Sequence, residues 1–233
     1  MPSGKHRTPL IVSFSGIDGA GKTTQIQSLA SWLESAGLKV TILSMWDDVV
    51  ACRKWRETAS RHAFRGDQGI GTPEHPLLRR DKNVQSRPLN LVRYCLYFAD
   101  ALSLRLHVRS LGEIHNSDVV IFDRYIYDEL ANLRLTNSVA RKYAQLLLKI
   151  APEPDIAYII DAEPEAARLR KPEYPVDFLR VNRESFLALS GIAKNVAVVA
   201  TPSIEQATEK VREAFLTRMP APLPNSLLPA MRG

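Results

Sequence analysis

The chain holds 233 residues, 45% hydrophobic and 24% charged, with a formal net charge of +6. Those values suit one globular unit with room for a sizeable core, and no apolar run approaches the ~20 residues that a membrane-spanning helix needs. The two cysteines, Cys52 and Cys95, lie in no paired motif, which argues against a disulfide framework or a zinc site. The opening residues pass straight into a short apolar run without a cleavage site, so a cytoplasmic protein is expected. Between Trp46 and Arg93 there are ten Lys/Arg against six Asp/Glu. That excess forms no dense run and carries no interleaved aromatics. Small phosphate-rich partners are therefore expected, rather than nucleic acid or a membrane.

In chain order, Pro9 to Ser15 reads as a buried strand running into a glycine-rich turn. Thr23 to Ala36 reads as a helix, with Ile26, Leu29, Ala30 and Leu33 on one face and a stop at Gly37. Leu38 to Met45 is a second strand. The stretch 46–86 shows weaker patterning, with a glycine-rich loop from Gly66 to Pro73. Pro88 to Asn116 predicts a long helix and Asp118 to Phe122 a third strand that delivers Asp123. Ser138 to Ile150 is helical, and Ile156 to Ile160 is a fourth strand ending at Asp161. Glu163 to Lys171 and Asp177 to Leu189 predict helices around a turn containing Pro172 and Pro175. Asn195 to Ala200 is the fifth strand and Ser203 to Leu216 the last helix. Alternating strands and helices predict an α/β fold, a five-stranded parallel sheet with helices on both faces. The expected organisation is a single domain over 1–217, a lid near 168–183, and a Pro-rich, poorly ordered tail over 218–233.

Gly16-Ile17-Asp18-Gly19-Ala20-Gly21-Lys22-Thr23 matches the pattern Gly, four residues, Gly-Lys-Ser/Thr in full, between a predicted strand and a predicted helix. This is the P-loop. Gly16, Gly19, Ala20 and Gly21 let backbone N–H groups close on phosphate oxygens, and the following helix, with Thr23 and Thr24, presents its positive end to the same anion. Lys22 supplies a point charge to the outer phosphates, and the Thr23 hydroxyl can hold Mg²⁺. The apolar strand 119–122 then delivers Asp123 and Arg124 to its carboxyl end, where open α/β sheets bind ligands. Asp123 is a second candidate for Mg²⁺, and Arg124 can clamp phosphate bidentately. Arg168, Arg170, Lys171, Arg180 and Arg183 surround the proline turn and suit a basic flap over a transferring phosphoryl group. Lys22, Asp123 and Arg124 are thus the expected catalytic set, with ATP and Mg²⁺ as cofactors.

The segments Phe14–Gln25, Asp123-Arg124-Tyr125 and Pro154–Arg168 together resemble the thymidylate kinase family of P-loop nucleoside monophosphate kinases, in order and spacing, from Leu10 to Leu216. The resemblance implies a five-stranded parallel sheet, an ATP-closing lid carrying Arg168, Arg170 and Lys171, Mg²⁺, and a homodimer. It implies transfer of a phosphoryl group from ATP to a nucleoside monophosphate, dTMP first, with Asp18 near the acceptor sugar, Arg124 on phosphate, Phe98 stacked on the base and Tyr127 nearby. The acceptor side departs from the family in three places. Leu102 replaces a base-contacting arginine, for which Arg105 is a candidate substitute one turn on. Met45-Trp46-Asp47-Asp48 replaces a glycine-rich stretch. Asp128, Glu129 and Leu133 stand where serines and a glutamine are usual. The same phosphate chemistry also suits another acceptor, such as a deoxynucleoside or another phosphorylated metabolite, or a P-loop ATPase switch.

Overall fold

The computed structural model describes residues 8–50, 87–114, 116–133, 135 and 137–218. Three of its strands are almost continuously apolar: β1 (Leu10–Ser15), β3 (Val119–Asp123) and β4 (Ile156–Asp161). Such runs belong at the centre of a parallel sheet, where both faces are covered. They sit there, in the order β2-β3-β1-β4-β5, all parallel, with β2 (Val40–Ser44) and β5 (Val196–Ala200) at the edges. The register pairs Phe14 with Asp123 and Ser15 with Ile159. The last residues of β1 are therefore flanked by the carboxyl ends of both neighbours.

Helices fill the crossovers: α1 (Lys22–Ser35), α2 (Arg87–Ile114), α3 (Ile126–Leu130), α4 (Ser138–Ile150), α5 (Pro164–Arg170), α6 (Val176–Ser190) and α7 (Ile204–Arg218). The chain moves one way across the sheet from β1 to β2 and the other way from β2 to β5. Right-handed crossovers then place α1 on one face and α2, α4 and α6 on the other. The final helix, α7, returns to the α1 face. There Trp32 meets Phe215 edge-on at 6.0 Å, and the Tyr158 hydroxyl of β4 donates to Val211 O at 2.7 Å. On the opposite face Tyr94 of α2 packs on Tyr143 of α4, with ring centroids 4.6 Å apart.

Two features differ from the sequence expectation. The second strand stops at Ser44, and Met45–Val49 forms a single π-helical turn. Its acids explain the stop: the Asp48 carboxylate accepts from Ser44 N at 2.7 Å, and Ser44 Oγ accepts from Asp47 N. Such side-chain bonds compete with continued strand pairing. The short helix α3, directly after Arg124, carries too few residues to show a periodic pattern. The expected loop at Gly66–Pro73, Cys52, most of segment 46–86 and nearly all of the C-terminal tail lie outside the described residues. No helix among the described residues is long and apolar enough to cross a membrane.

Candidate active site

The phosphate cradle leaves β1 at its carboxyl end and folds back under tight packing. Gly16 has φ +144°, and a Cβ there would run into the carbonyl of Ile160 in β4. Gly19 has φ +84°, and its Cβ would meet the carbonyl of Ala167 in α5. The two glycines are thus required both by backbone conformation and by close approach. The second contact also places α5, the first helix of the expected lid, directly against the loop. Gly21 is the left-handed N-cap of α1, so Lys22, Thr23 and Thr24 make up the first turn, the positive end of the helix. Both threonines are exposed, and Ala20 is buried beneath the loop.

Lys22 is buried, and its Nζ donates to the carbonyls of Gly16 at 2.7 Å and Ile17 at 3.0 Å. Burial, then the positive charge of Arg124, push its pKa down to about 8, against the opposing pull of Asp18, Asp128 and Asp123. The amine is therefore a cation poorly compensated by its surroundings, which suits a partner of high negative charge.

Arg124 follows β3 in the left-handed region, at φ +71°, an uncommon conformation for a residue with a side chain. Its N–H donates to Phe14 O at 3.0 Å, locking the turn onto β1. The turn aims the guanidinium at the P-loop, where Nη2 pairs with Asp18 Oδ1 at 2.6 Å. Burial disfavours the charge, but Asp18, followed by Asp128, outweighs it and raises the pKa. Asp123 ends β3 beside these groups, only partly buried, and its charge is felt at both Lys22 and Arg124. The structure thus brings Asp18, Lys22, Asp123 and Arg124 together.

A magnesium ion fits this donor set. Mg²⁺ keeps several waters and takes few protein ligands. Thr23 offers an exposed hydroxyl and Asp123 a partly exposed carboxylate, and among the described residues no cluster of three or more acids, histidines or cysteines forms an all-protein cage.

The basic residues of the expected lid are held by local partners. Arg168 donates to Tyr174 O across the proline turn, Arg170 Nε to Ala166 O at 3.3 Å, and Lys171 lies 3.4 Å from Glu173. Arg180 pairs with Glu165 and Asp177. Arg183 forks onto Asp161 at 2.5 and 2.9 Å and also reaches Glu163, so it braces β4 against α6.

The other expected acceptor residues, Phe98, Arg105 and Tyr127, are not gathered in the same way. Phe98 is 45% exposed and shares an outward face of α2 with Leu91, Leu102 and Leu106. Its neighbour Tyr97 is the buried aromatic, hydrogen-bonded to Glu129 of α3 and to Asn132 beyond it. Arg105 donates to Ile150 O at 3.0 Å. The guanidinium is thus engaged at the end of α4 that leads into the amino end of β4. Tyr127 is buried beside a cleft of about 660 Å³ lined also by Lys149, Glu153 and Lys194. Burial, then Glu153, raises its pKa. Gln25, part of the family-like segment, ties α1 to α7: it donates to Ile204 O at 3.3 Å and accepts from Thr208 Oγ1 at 3.1 Å.

No protein-family model matches the chain. It is 28% identical over 217 residues to the probable thymidylate kinase of Archaeoglobus fulgidus, covering 89% of this chain and 96% of that one. It is 26% identical to the probable thymidylate kinase of Methanosphaera stadtmanae, covering 89% and 97%, and 25% identical to a thymidylate kinase of Prochlorococcus marinus, covering 88% and 94%. Among solved structures it is similar to thymidylate kinase from Candida albicans, with a TM-score of 0.60 at 16% identity over 90% of this chain and 92% of that one. Thymidylate kinase from Ehrlichia chaffeensis gives 0.58 at 20% identity, over 90% and 99%. The solved structures carry the fold, and the curated relatives extend the likeness to thymidylate kinases along nearly the whole chain.

Proposed function

We propose that this chain, similar to thymidylate kinases over nearly all its length, is a nucleoside monophosphate kinase that transfers the terminal phosphoryl group of ATP to dTMP, giving dTDP and ADP. The observation that carries the reading is a buried, poorly compensated Lys22 cation beside an Arg124 turned by its left-handed backbone onto the P-loop, 2.6 Å from Asp18. Phosphoryl transfer asks little covalent chemistry of a protein; it asks for fixed positive charge around the equatorial oxygens.

Backbone N–H groups of Gly19 to Thr24 cradle the ATP phosphates, with the start of α1 adding its dipole. Lys22 exchanges the Gly16 and Ile17 carbonyls for outer phosphate oxygens, and the anion supplies the compensating negative charge that its surroundings lack. Arg124 bridges donor and acceptor phosphates with its planar fork. Asp18, freed from Arg124, orients the acceptor through its sugar hydroxyl. Thr23 and Asp123 would hold Mg²⁺, which would supply neutralisation of the phosphate charge. Helix α5 and the proline turn form the lid, bringing Arg168, Arg170 and Lys171 over the nucleotide and excluding water.

The working form is a homodimer. Leu91, Phe98, Leu102 and Leu106 recur at helical spacing as an exposed apolar stripe on α2, from 45% to 65% exposed. Phe98 and Leu102 lie on either side of the midpoint of this 28-residue helix. A two-fold axis there sets each against the other's copy, as a self-complementary interface requires.

The reading is tested by a thermal-shift panel of dTMP, dUMP, dCMP, thymidine and sugar phosphates, each with ATP and Mg²⁺. Stabilisation by dTMP beyond that given by ATP alone is expected. Stabilisation by thymidine or a sugar phosphate, with none by dTMP, would move the acceptor to another class.

A further inference from the structure

Asp128, on α3, is a carboxylate at the edge of the phosphate cradle with only 6% of its surface exposed. Its Oδ2 accepts from two elements at once: from Ser15 Oγ at 2.6 Å, the last residue of β1, and from Tyr125 N at 3.1 Å, just past the left-handed turn. Its Oδ1 makes no hydrogen bond and faces Arg124 Nη1 at 3.7 Å. Burial raises its pKa, while Arg124 and then Lys22 act to keep it ionised. An acid in such a place is costly unless it organises its neighbours. A left-handed turn at a non-glycine residue persists only when its surroundings over-determine it. One carboxylate serves both needs here.

Resting on the phosphoryl-transfer reading above, we propose that Asp128 is the positioning residue for Arg124. Through Oδ2 it pins the turn to β1, and through Oδ1 it steers the guanidinium, so that Arg124 meets the transferring group in a single orientation. Its negative charge opposes anion binding, so its contribution lies in orientation rather than affinity. Positioning of this kind raises turnover without tightening ground-state binding.

The test is a double-mutant cycle between Asp128→Asn and Arg124→Ala, read as kcat with dTMP, as Kd for ATP by calorimetry, and as melting temperature. Asparagine can keep its carbonyl oxygen on Ser15 and Tyr125 while turning an NH₂ toward Arg124, which removes the ion pair alone. Asp128→Asn is expected to lower kcat at least tenfold with Kd for ATP unchanged or tighter. In the Arg124→Ala background it is expected to change kcat less than twofold. An unchanged kcat, a joint loss of kcat and affinity that tracks melting temperature, or a full loss in the Arg124→Ala background would each overturn the proposal. If Asp128→Asn does not fold, Ser15→Ala, which removes one of the two Oδ2 donors, is run through the same cycle under the same criteria. A second readout needs no turnover: the ¹⁵N NMR signal of the Arg124 side chain, assigned by its loss in Arg124→Lys. It should be sharp in the wild type and exchange-broadened in Asp128→Asn; equal line widths in the two would refute the proposal. A wild type inactive on dTMP would remove the acceptor assignment and leave this second readout to decide the role of Asp128.

Discussion

Replacing Lys22 by methionine should abolish activity and leave a stability gap from the wild type that depends on pH. The amine is buried, and a pKa lowered from 10.5 to about 8 corresponds to about 3 kcal/mol of penalty for carrying its charge in the fold at neutral pH. Methionine fills a similar volume without a charge. It forfeits the hydrogen bonds to the Gly16 and Ile17 carbonyls, worth about 1.5–3 kcal/mol each when the donor is charged. The two effects are of similar size and oppose each other at pH 7, so the pH dependence of the stability gap carries the prediction. The pH dependence follows from the direction of the shift. Below pH 8 the lysine is charged in both folded and unfolded chains, and the full penalty applies. Between about pH 8 and 10.5 the folded amine is neutral while the unfolded one still binds a proton. The gap therefore shifts in favour of the wild type, by up to about 3 kcal/mol over that range. Paired urea titrations at pH 7 and pH 10 measure the gap, and a coupled ADP assay should show turnover down by two orders of magnitude or more. A gap that does not change between pH 7 and pH 10 would refute the reasoning.

Arg124→Lys should retain more kcat/KM than Arg124→Ala yet fall well short of the wild type, since lysine keeps the charge and loses the fork; equal activity in all three would leave Arg124 a structural cap. Gln25→Ala should cost about 1–3 kcal/mol by loosening α1 from α7 with kcat nearly unchanged, checked by urea titration and steady-state kinetics. Leu102→Arg should break the proposed dimer in sedimentation while shifting the ratio of kcat/KM for dTMP over dCMP by less than about twofold, as a residue on the outward stripe contributes no donor to the base. A tenfold sharpening would instead place residue 102 in the acceptor site.

The sheet and the phosphate cradle were legible because their signals are local. Apolar runs such as Val119–Phe122 announce central strands, and each glycine of Gly16–Gly21 answers a backbone need visible in the motif. Asp123 and Arg124 could be placed because they end a strand in a parallel sheet, where ligands collect. The acceptor side was harder, since it depends on helix rotation and on pairs far apart in sequence. A one-residue difference in facing turns Tyr97 toward Glu129 and leaves Phe98 exposed, and spacing alone does not separate two adjacent aromatics. The bond from Arg105 to Ile150 spans two elements and leaves no local trace. Asp128 stood out as a departure from the family's serine, but its hold on Ser15, across 113 positions, needed the fold.

Phosphoryl transfer to dTMP is tested most directly by ³¹P NMR of the purified chain with ATP, Mg²⁺ and dTMP. dTDP and ADP should appear in equal amounts, with no inorganic phosphate, and ATP should be stable when dTMP is omitted. Steady release of inorganic phosphate from ATP alone, with dTMP unchanged, would contradict it and make the protein an ATPase.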